Sequence, residues 1–270
     1  MHKKYFSYSK INTYKSCPQK YKIVYLDKIR KKNESIEAFM GKRVHEVLEW
    51  LYSDKNRKKK LILFDTLMNK YKQLWNDKWH QNIFIARCKY NRENYNKNTL
   101  YEIGIDCLSN YYRLFNKNGY FNQNVEDVEL SFETKIENYL FKGFIDRVDI
   151  KDDVIDIIDY KTGKNKRTYY QAKNDFQLAI YGLAAKQIFK KYKKIKLTFY
   201  NLRESKKEDM ITSIDYDAKK LEQLEFQIKK KIFDINNDKE YIAKESLLCE
   251  WCYLWEECEI KSTGNPSINI

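Results

Sequence analysis

Two kinds of hydrophobic pattern alternate along the chain. Short runs rich in Val, Ile, Phe and Tyr, bounded by turn residues, are typical of β-strands. Longer stretches in which apolar residues recur every three or four positions are typical of helices. Strands are predicted near 125–133, 139–150, 154–161, 195–202 and 209–215. Helices are predicted near 35–53, 60–79, 99–117, 175–191 and 217–235. The chain therefore belongs to the α/β class.

The order of these elements predicts how the strands are connected. The helix near 175–191 lies between the third and fourth strands, so those strands should be parallel and joined by a right-handed crossover. At the N-terminus, Ser7 or Ser9 can cap a short helix that runs towards Cys17. Residues 18–26 should continue helically after the proline.

The numbers of prolines and glycines in the chain predict its domain organisation. Only two prolines and seven glycines occur, so no Pro-rich or Gly-rich linker marks an internal boundary. We expect a single domain over 1–260 that contains a helical insertion at about 55–120. Residues 261–270 are expected to form a flexible tail.

Two neighbouring strands predict a hairpin that carries acids. F-K-G-F-I-D-R-V-D-I covers 141–150, and V-I-D-I-I-D-Y-K-T-G covers 154–163. A tight turn at 152–153 places Asp146 opposite Asp159, with Cβ atoms roughly 4.5 to 5.5 Å apart. Like charges at that distance destabilise a sheet unless a cation neutralises them. Mg²⁺ or Mn²⁺ would do so, because hard divalent ions prefer carboxylate oxygens.

Lys161 completes this pattern, because it emerges on the same face of its strand as Asp159, two residues earlier. Two carboxylates, a metal and an ammonium suit the hydrolysis of a phosphodiester. The alternative is a solvated hairpin whose acids face water. The isoleucines that surround Asp159 in the sequence favour the site, because an acid in an apolar strand needs a partner.

Other candidate residues are weaker on their own. His45 flanks the apolar stripe of the helix at 35–53, where a lone histidine is more often a hydrogen-bonded boundary residue than a ligand. Gln177 and Tyr181 are four apart and so share a helix face, which ordinary polar packing would also explain. Glu129 precedes the hairpin and could also approach the site, but an exposed strand acid is the favoured interpretation.

Together these motifs resemble the PD-(D/E)XK nuclease superfamily, and in particular its RecB-like exonuclease branch. The resemblance rests on G-F-I-D-R-V-D, on I-I-D-Y-K-T-G thirteen positions later, on the upstream histidine and on Q-L-A-I-Y. It implies a restriction-endonuclease-like core with a mixed central sheet flanked by helices. The implied metal ligands are His45, Asp146 and Asp159. The other implied site residues are Lys161 as the catalytic lysine, with Gln177 and Tyr181 lining the site. The second acid is Asp rather than Glu, a variation that this branch tolerates.

Cysteine spacing is the second strong signal. Cys249, Cys252 and Cys258 form C-x2-C-x5-C, and Cys17 lies near the other end of the chain. Four cysteines could therefore join the chain ends around one metal centre. Zinc is one alternative. The spacing and the remote cysteine resemble the iron-sulfur nucleases of the AddB type and the CRISPR-associated RecB-like exonucleases, which implies a [4Fe–4S] staple. Two further cysteines are expected in the core: Cys88 and Cys107.

Composition points to a nucleic-acid partner. The 270-residue chain has a formal net charge of +14, although richness in lysine and asparagine also follows from an AT-rich genome. Local basic runs at 28–32, 55–60 and 190–194 are more informative, because phosphate binding needs clustered cations. Some of the 23 tyrosines offer surfaces on which unpaired bases could stack.

The sequence thus predicts a DNA nuclease that uses Mg²⁺ or Mn²⁺, most simply an exonuclease on single-stranded DNA or DNA ends. We expect a cytoplasmic or nucleoid-associated protein without a membrane segment, acting in recombination, repair, phage replication or CRISPR adaptation. No helicase P-loop occurs, so a separate helicase, recombination or CRISPR protein is the expected partner. The alternatives are a structure- or site-directed endonuclease and a non-catalytic DNA-binding subunit of a larger helicase-nuclease complex.

Overall fold

A six-stranded mixed sheet forms the centre of the protein. The computed structural model describes residues 5–57, 61–86, 96–118, 120–121, 124–192, 194–216 and 218–268. The strands of this sheet are β1 (Tyr5–Phe6), β4 (Val125–Ile136), β5 (Tyr139–Lys151), β6 (Val154–Lys161), β7 (Lys194–Asn201) and β8 (Ile211–Asp215). Two short strands pair separately: β2 (Glu34–Ser35) and β3 (Ile83–Phe84). The expected mixed sheet flanked by helices is confirmed.

The helices cover both faces of the sheet. They are α1 (Tyr8–Ser16), α2 (Pro18–Tyr21), α3 (Ile36–Leu51), α4 (Asp54–Arg57), α5 (Phe64–Lys78), α6 (Lys97–Phe115), α7 (Tyr169–Lys173), α8 (Phe176–Ile188), α9 (Lys207–Met210) and α10 (Ala218–Asn237). A π-helical turn spans Lys22–Leu26, and a 3₁₀ turn spans Leu247–Trp251. One buried cluster lies between the sheet and α1, α8 and α10, and the other lies between the sheet and α3, α5 and α6.

Side-chain caps fix where several helices begin. Ser7 accepts a hydrogen bond from the backbone N–H of Lys10 and so starts α1, as predicted. Asp175 accepts from the N–H groups of Gln177 and Leu178, which fixes the start of α8. Strands β6 and β7 on either side of α8 are parallel, so the predicted parallel pairing is confirmed.

Strand β5 is the centre of the sheet and has different partners along its length. Along one edge, β4 pairs with almost the whole strand in the antiparallel sense. Along the other edge, β1 pairs only at Leu140 and Phe141, and β6 pairs only from Arg147 onwards. Within the described chain, residues 142–146 have no strand partner on that edge. The sheet is therefore open beside Asp146.

Parts of three predictions concern residues whose structure is not described. Cys88, Lys58 to Lys60 and Lys193 lie outside the described residues. Cys107 is fully buried, as predicted.

The segment expected to be a flexible tail includes Asn265 and Ser267, which are both buried. The Asn265 amide donates to the backbone oxygens of Glu250 and Cys252, at 3.1 and 2.8 Å. This part of the tail is therefore packed against the cysteine segment, contrary to the expectation.

A buried ion pair lies next to the open edge. The guanidinium of Arg147, which is only 1% exposed, donates two hydrogen bonds of 2.6 Å to the two carboxylate oxygens of Asp149. It also donates to the hydroxyl of Tyr111 at 2.6 Å and stacks over the ring of Tyr52 at 4.3 Å. The charge is thus paired, hydrogen-bonded and covered by aromatic rings from α3, α6 and the sheet.

Replacing Arg147 alone should be costly, because Asp149 would remain buried without its guanidinium partner. We expect Arg147→Met to lower the free energy of unfolding by about 3 to 5 kcal/mol. The double variant Arg147→Met with Asp149→Leu should recover most of this loss, because it removes both charges.

Denaturant unfolding measures both effects. Lys231→Met is the matched control, because Lys231 pairs with Asp234 on the surface, and exposed pairs contribute only about 0 to 1 kcal/mol. A loss below about 1 kcal/mol in Arg147→Met would show that the buried pair does not stabilise the fold.

Candidate active site

The acid-bearing hairpin has the predicted register. Arg147 faces Ile158 and Val148 faces Ile157, so continuing the same register would pair Asp146 with Asp159. The ladder ends one step earlier. Instead, a carboxylate oxygen of Asp146 accepts a hydrogen bond of 2.8 Å from the backbone N–H of Tyr160. The strands separate at this point, and both acids lie at the separation.

His45 approaches Asp146 from α3. Its Nδ1 lies 3.3 Å from Asp146 Oδ2, and its ring makes an edge contact with Tyr160. Gly41, one turn earlier, permits this approach, because a Cβ there would lie 2.9 Å from the hydroxyl of Thr162 directly after β6. The predicted histidine and first acid are therefore in contact.

Lys161 connects the second acid to α8. Its Nζ lies 2.7 Å from Asp159 Oδ2 and donates to Gln177 Oε1 at 2.8 Å. The amide nitrogen of Gln177 donates in turn to the hydroxyl of Tyr181 at 2.9 Å. Asp159, Lys161, Gln177 and Tyr181 thus form one continuous polar chain, and the structure brings all six predicted site residues to one region.

Glu129 approaches the candidate site, which is the alternative that the sequence left open. It was expected to be an exposed strand acid, but it is half-buried in β4 and has a φ of 50°. One carboxylate oxygen of Glu129, one of Asp146 and one ring nitrogen of His45 lie within 4.8 Å of one another. The register of the β4–β5 hairpin, which pairs Leu130 with Ile145, contained the signal, because it places Glu129 opposite Asp146.

In the metal-free site, three crowded acids share two cationic side chains. The acids are Glu129, Asp146 and Asp159, and the cations are His45 and Lys161. Burial alone would lower the pKa of His45, but the charge of Asp146 and its hydrogen bond raise it to about 9. Burial raises the pKa of Glu129 to about 7, with a further contribution from Asp146. Burial raises the pKa of Asp159 to about 6 against the opposing charge of Lys161. Protons therefore occupy the site at neutral pH.

The residues present fit a divalent cation. One nitrogen and two carboxylate oxygens converge from His45, Glu129 and Asp146, and such donors suit Mg²⁺ and Mn²⁺. Asp159 Oδ2 is buried, and the ammonium of Lys161 at 2.7 Å is its partner in the described structure. This oxygen has an unused lone pair that a cation would satisfy.

The four cysteines predicted to act together line one cavity of about 180 Å³. Cys17 comes from the end of α1, whereas Cys249, Cys252 and Cys258 come from the C-terminal segment, so the two chain ends meet here. All four are free thiols. Backbone N–H groups donate to two of the sulfurs, those of Cys17 at 3.4 Å and Cys249 at 3.5 Å.

Comparison with known proteins establishes the family. The family model for the PD-(D/E)XK nuclease superfamily matches residues 5–259. The chain therefore belongs to the PD-(D/E)XK nuclease superfamily, whose members use divalent metal ions, and its mixed sheet flanked by helices is consistent with the restriction-endonuclease-like fold.

Two solved structures are similar to this chain. A candidate exonuclease from Eubacterium rectale is 14% identical with a TM-score of 0.49, over 92% of this chain and 85% of that one. The protein SSO0001 is 13% identical with a TM-score of 0.32, over 93% of this chain and 96% of that one. No curated protein matches the sequence significantly. None of the helices in the described residues has the length and apolar character needed to cross a membrane.

Metal binding should release protons, because a metal ligand must be a neutral imidazole or an ionised carboxylate. At pH 7 His45 is protonated and Glu129 is about half protonated, since their pKa values are about 9 and 7. We expect each bound Mn²⁺ to release about one to two protons at pH 7. Metal affinity should rise with pH until His45 loses its proton near pH 9.

Calorimetric titration in buffers of different ionisation enthalpy measures this release. Glu129→Gln is the informative variant, because it should reduce the release to about one proton. Metal binding that releases no protons and is independent of pH between 6 and 9 would contradict the assignment of His45 as a ligand.

Proposed function

We propose that the protein is a Mg²⁺- or Mn²⁺-dependent exonuclease that hydrolyses single-stranded DNA from an end. The observation that carries this proposal is the convergence of His45, Asp146 and Asp159 with the Lys161, Gln177 and Tyr181 chain at the open edge of β5. Glu129 is an additional candidate ligand. A non-catalytic DNA-binding platform would need none of these charged residues.

The ligands and the lysine have separate roles in this proposal. His45, Glu129, Asp146 and Asp159 would hold the metal, which when bound polarises the phosphate and lowers the pKa of a coordinated water. Burial alone would lower the pKa of Lys161, but the neighbouring Asp159 raises it above its ordinary value. Lys161 is therefore an ammonium at neutral pH. It is suited to offset charge that develops on the phosphate, and not to remove a proton from water.

Gln177 and Tyr181 position that ammonium. Gln177 accepts from Lys161 with its oxygen and donates to Tyr181 with its nitrogen, so the direction of the Lys161 side chain is fixed from α8. Burial raises the pKa of Tyr181 well above its ordinary value. The phenol consequently stays protonated, and its O–H remains able to donate towards a phosphate oxygen.

The preference for DNA ends is proposed from the order of elements. Helices α5 and α6 lie in the chain between His45 and the sheet, and a roof made by them would pass one strand but not a duplex. Clustered cations should make binding depend strongly on salt and little on sequence.

Matched linear and circular single-stranded DNA test this proposal. With Mg²⁺ or Mn²⁺, we expect rapid digestion of the linear strand, slow digestion of a blunt duplex and resistance of the closed circle. Lys161→Met, which keeps the length of the side chain without its charge, should lower the rate by about 10²- to 10³-fold. It also controls for contaminating nucleases. Cleavage of the circle as fast as the linear strand would favour an endonuclease.

We further propose that Cys17, Cys249, Cys252 and Cys258 hold a [4Fe–4S] cluster that joins the chain ends. Sulfurs around a single tetrahedral zinc lie about 3.8 Å apart, because Zn–S bonds are about 2.3 Å. The cavity of about 180 Å³ that these four cysteines line is large for one ion, which supports a larger cofactor over zinc.

Anaerobically purified protein should therefore be brown and contain iron and acid-labile sulfide in equal amounts. Cys252→Ala should lose the colour, whereas Cys107→Ala should keep it, because Cys107 is buried in the other half of the molecule. Colourless protein with one zinc per chain would contradict the proposal.

A further inference from the structure

A second cleft opens directly beside the candidate active site. It has a volume of about 590 Å³, and Gln177 and Tyr181 form part of its wall. The cleft exists because β1 leaves β5 after Phe141 and β6 joins β5 only at Arg147. Its other polar lining residues are Ser7, Tyr8, Ser9, Ser131, Glu133 and Lys142.

An exposed aromatic ring lies in the wall of this cleft. Phe144 is 58% exposed, although it is in the middle of the thirteen-residue strand β5 and two residues before Asp146. Ile145, its neighbour in the strand, is fully buried. Burial of a phenylalanine side chain stabilises a fold by about 1.5 to 3 kcal/mol, and Phe144 forgoes most of that gain.

The ring has no aromatic or cationic partner among the described residues. The residue opposite Phe144 on β4 is Ser131, so no cross-strand aromatic pair forms. Gly143 precedes it, and a Cβ at that position would lie 2.9 Å from the ring of Phe132. The backbone of β5 is therefore packed closely on the core side at Gly143, while the next side chain is left in the cleft.

We propose that Phe144 is the stacking surface for a nucleobase of the substrate strand, next to the phosphate that is cleaved. This inference rests on the nuclease function proposed above and names the part of the substrate that the cleft recognises. Aromatic rings bind unpaired bases in this way with little sequence preference, because every base has a π-face. A base inside a duplex is already stacked and paired, so this subsite favours a single strand.

The charges of the cleft fit a strand placed there. Lys142 is exposed, with its Nζ 5.2 Å from the centre of the Tyr5 ring, and provides a cation for a neighbouring phosphate. Glu133, the acid in the cleft, faces Lys142 directly across the β4–β5 pair and accepts a hydrogen bond of 3.1 Å from the Tyr5 hydroxyl. Phosphate, base and metal site would thus follow one another along β5, at Lys142, Phe144 and Asp146.

Binding and cleavage of a labelled oligothymidylate test the inference. Base stacking on an aromatic ring corresponds to about a 5- to 150-fold change in affinity. We expect Phe144→Leu to weaken binding in Ca²⁺ and to lower kcat/KM in Mn²⁺ within this range, whereas Phe144→Trp should retain both. Phe226→Leu is the matched control, because Phe226 is 68% exposed on the remote helix α10.

Abasic nucleotides separate stacking from other effects. A single abasic nucleotide is placed at each position of the strand in turn. At one position it should lower the cleavage rate of wild type to that of Phe144→Leu. At the same position it should not lower the cleavage rate of Phe144→Leu any further. On bis(p-nitrophenyl) phosphate, which has no base, the variant should lose at least fivefold less activity than on DNA.

Equal binding by wild type and Phe144→Leu, or equal sensitivity of both to the abasic position, would overturn the inference. An equal loss on DNA and on the base-free ester would also overturn it, because the ring would then act on the metal site. If wild type binds DNA but cleaves neither substrate, the nuclease proposal fails. In that case, the ratio of the dissociation constants of wild type and Phe144→Leu for DNA still decides the role of Phe144. If wild type does not bind DNA at all, the nuclease proposal and the stacking proposal are both overturned.

Discussion

The point at which β5 and β6 stop pairing determines the geometry of the site. The ladder ends at Arg147 and Ile158, and the Asp146 carboxylate then accepts the next hydrogen bond from the backbone of Tyr160. Asp146 is therefore oriented by the main chain. On the face covered by α3 and α6, the buried guanidinium of Arg147 donates to Tyr111 and ties the same stretch of β5 to α6. The position of β5 beside the open edge is thereby fixed, so the acids can converge without closing the gap.

In the metal-free site, protons and a lysine balance the charge of the acids. Without a cation, Glu129, Asp146 and Asp159 are crowded, and the repulsion is relieved by protonation of His45, by the ammonium of Lys161 and by raised carboxyl pKa values. A bound divalent ion would take over this role and release the proton of His45. Lys161 keeps its own proton because of its separate contact with Asp159. The lysine therefore remains a cation whether or not the metal is present.

Local signals in the sequence explain which predictions succeed. The hairpin register and the parallel crossover follow from a short turn and from hydrophobic alternation, both of which lie within a few residues. The exposed position favoured for Glu129 was wrong, because its approach to Asp146 depends on the β4–β5 register and on a backbone φ of 50°, which the hydrophobic pattern of β4 alone does not indicate. The packing of Asn265 onto the cysteine segment was missed because it depends on contacts formed only after folding. The exposure of Phe144 likewise depends on where β1 and β6 end.

We propose that His45, Asp146 and Asp159 hold one catalytic metal at the open edge of β5, with Glu129 beside them. Anomalous X-ray diffraction from crystals soaked in Mn²⁺ tests this arrangement most directly. We expect one strong anomalous peak within about 2.0 to 2.3 Å of a ring nitrogen of His45 and of carboxylate oxygens of Asp146 and Asp159. A manganese peak elsewhere in the molecule, with this site left empty at saturating Mn²⁺, would contradict it.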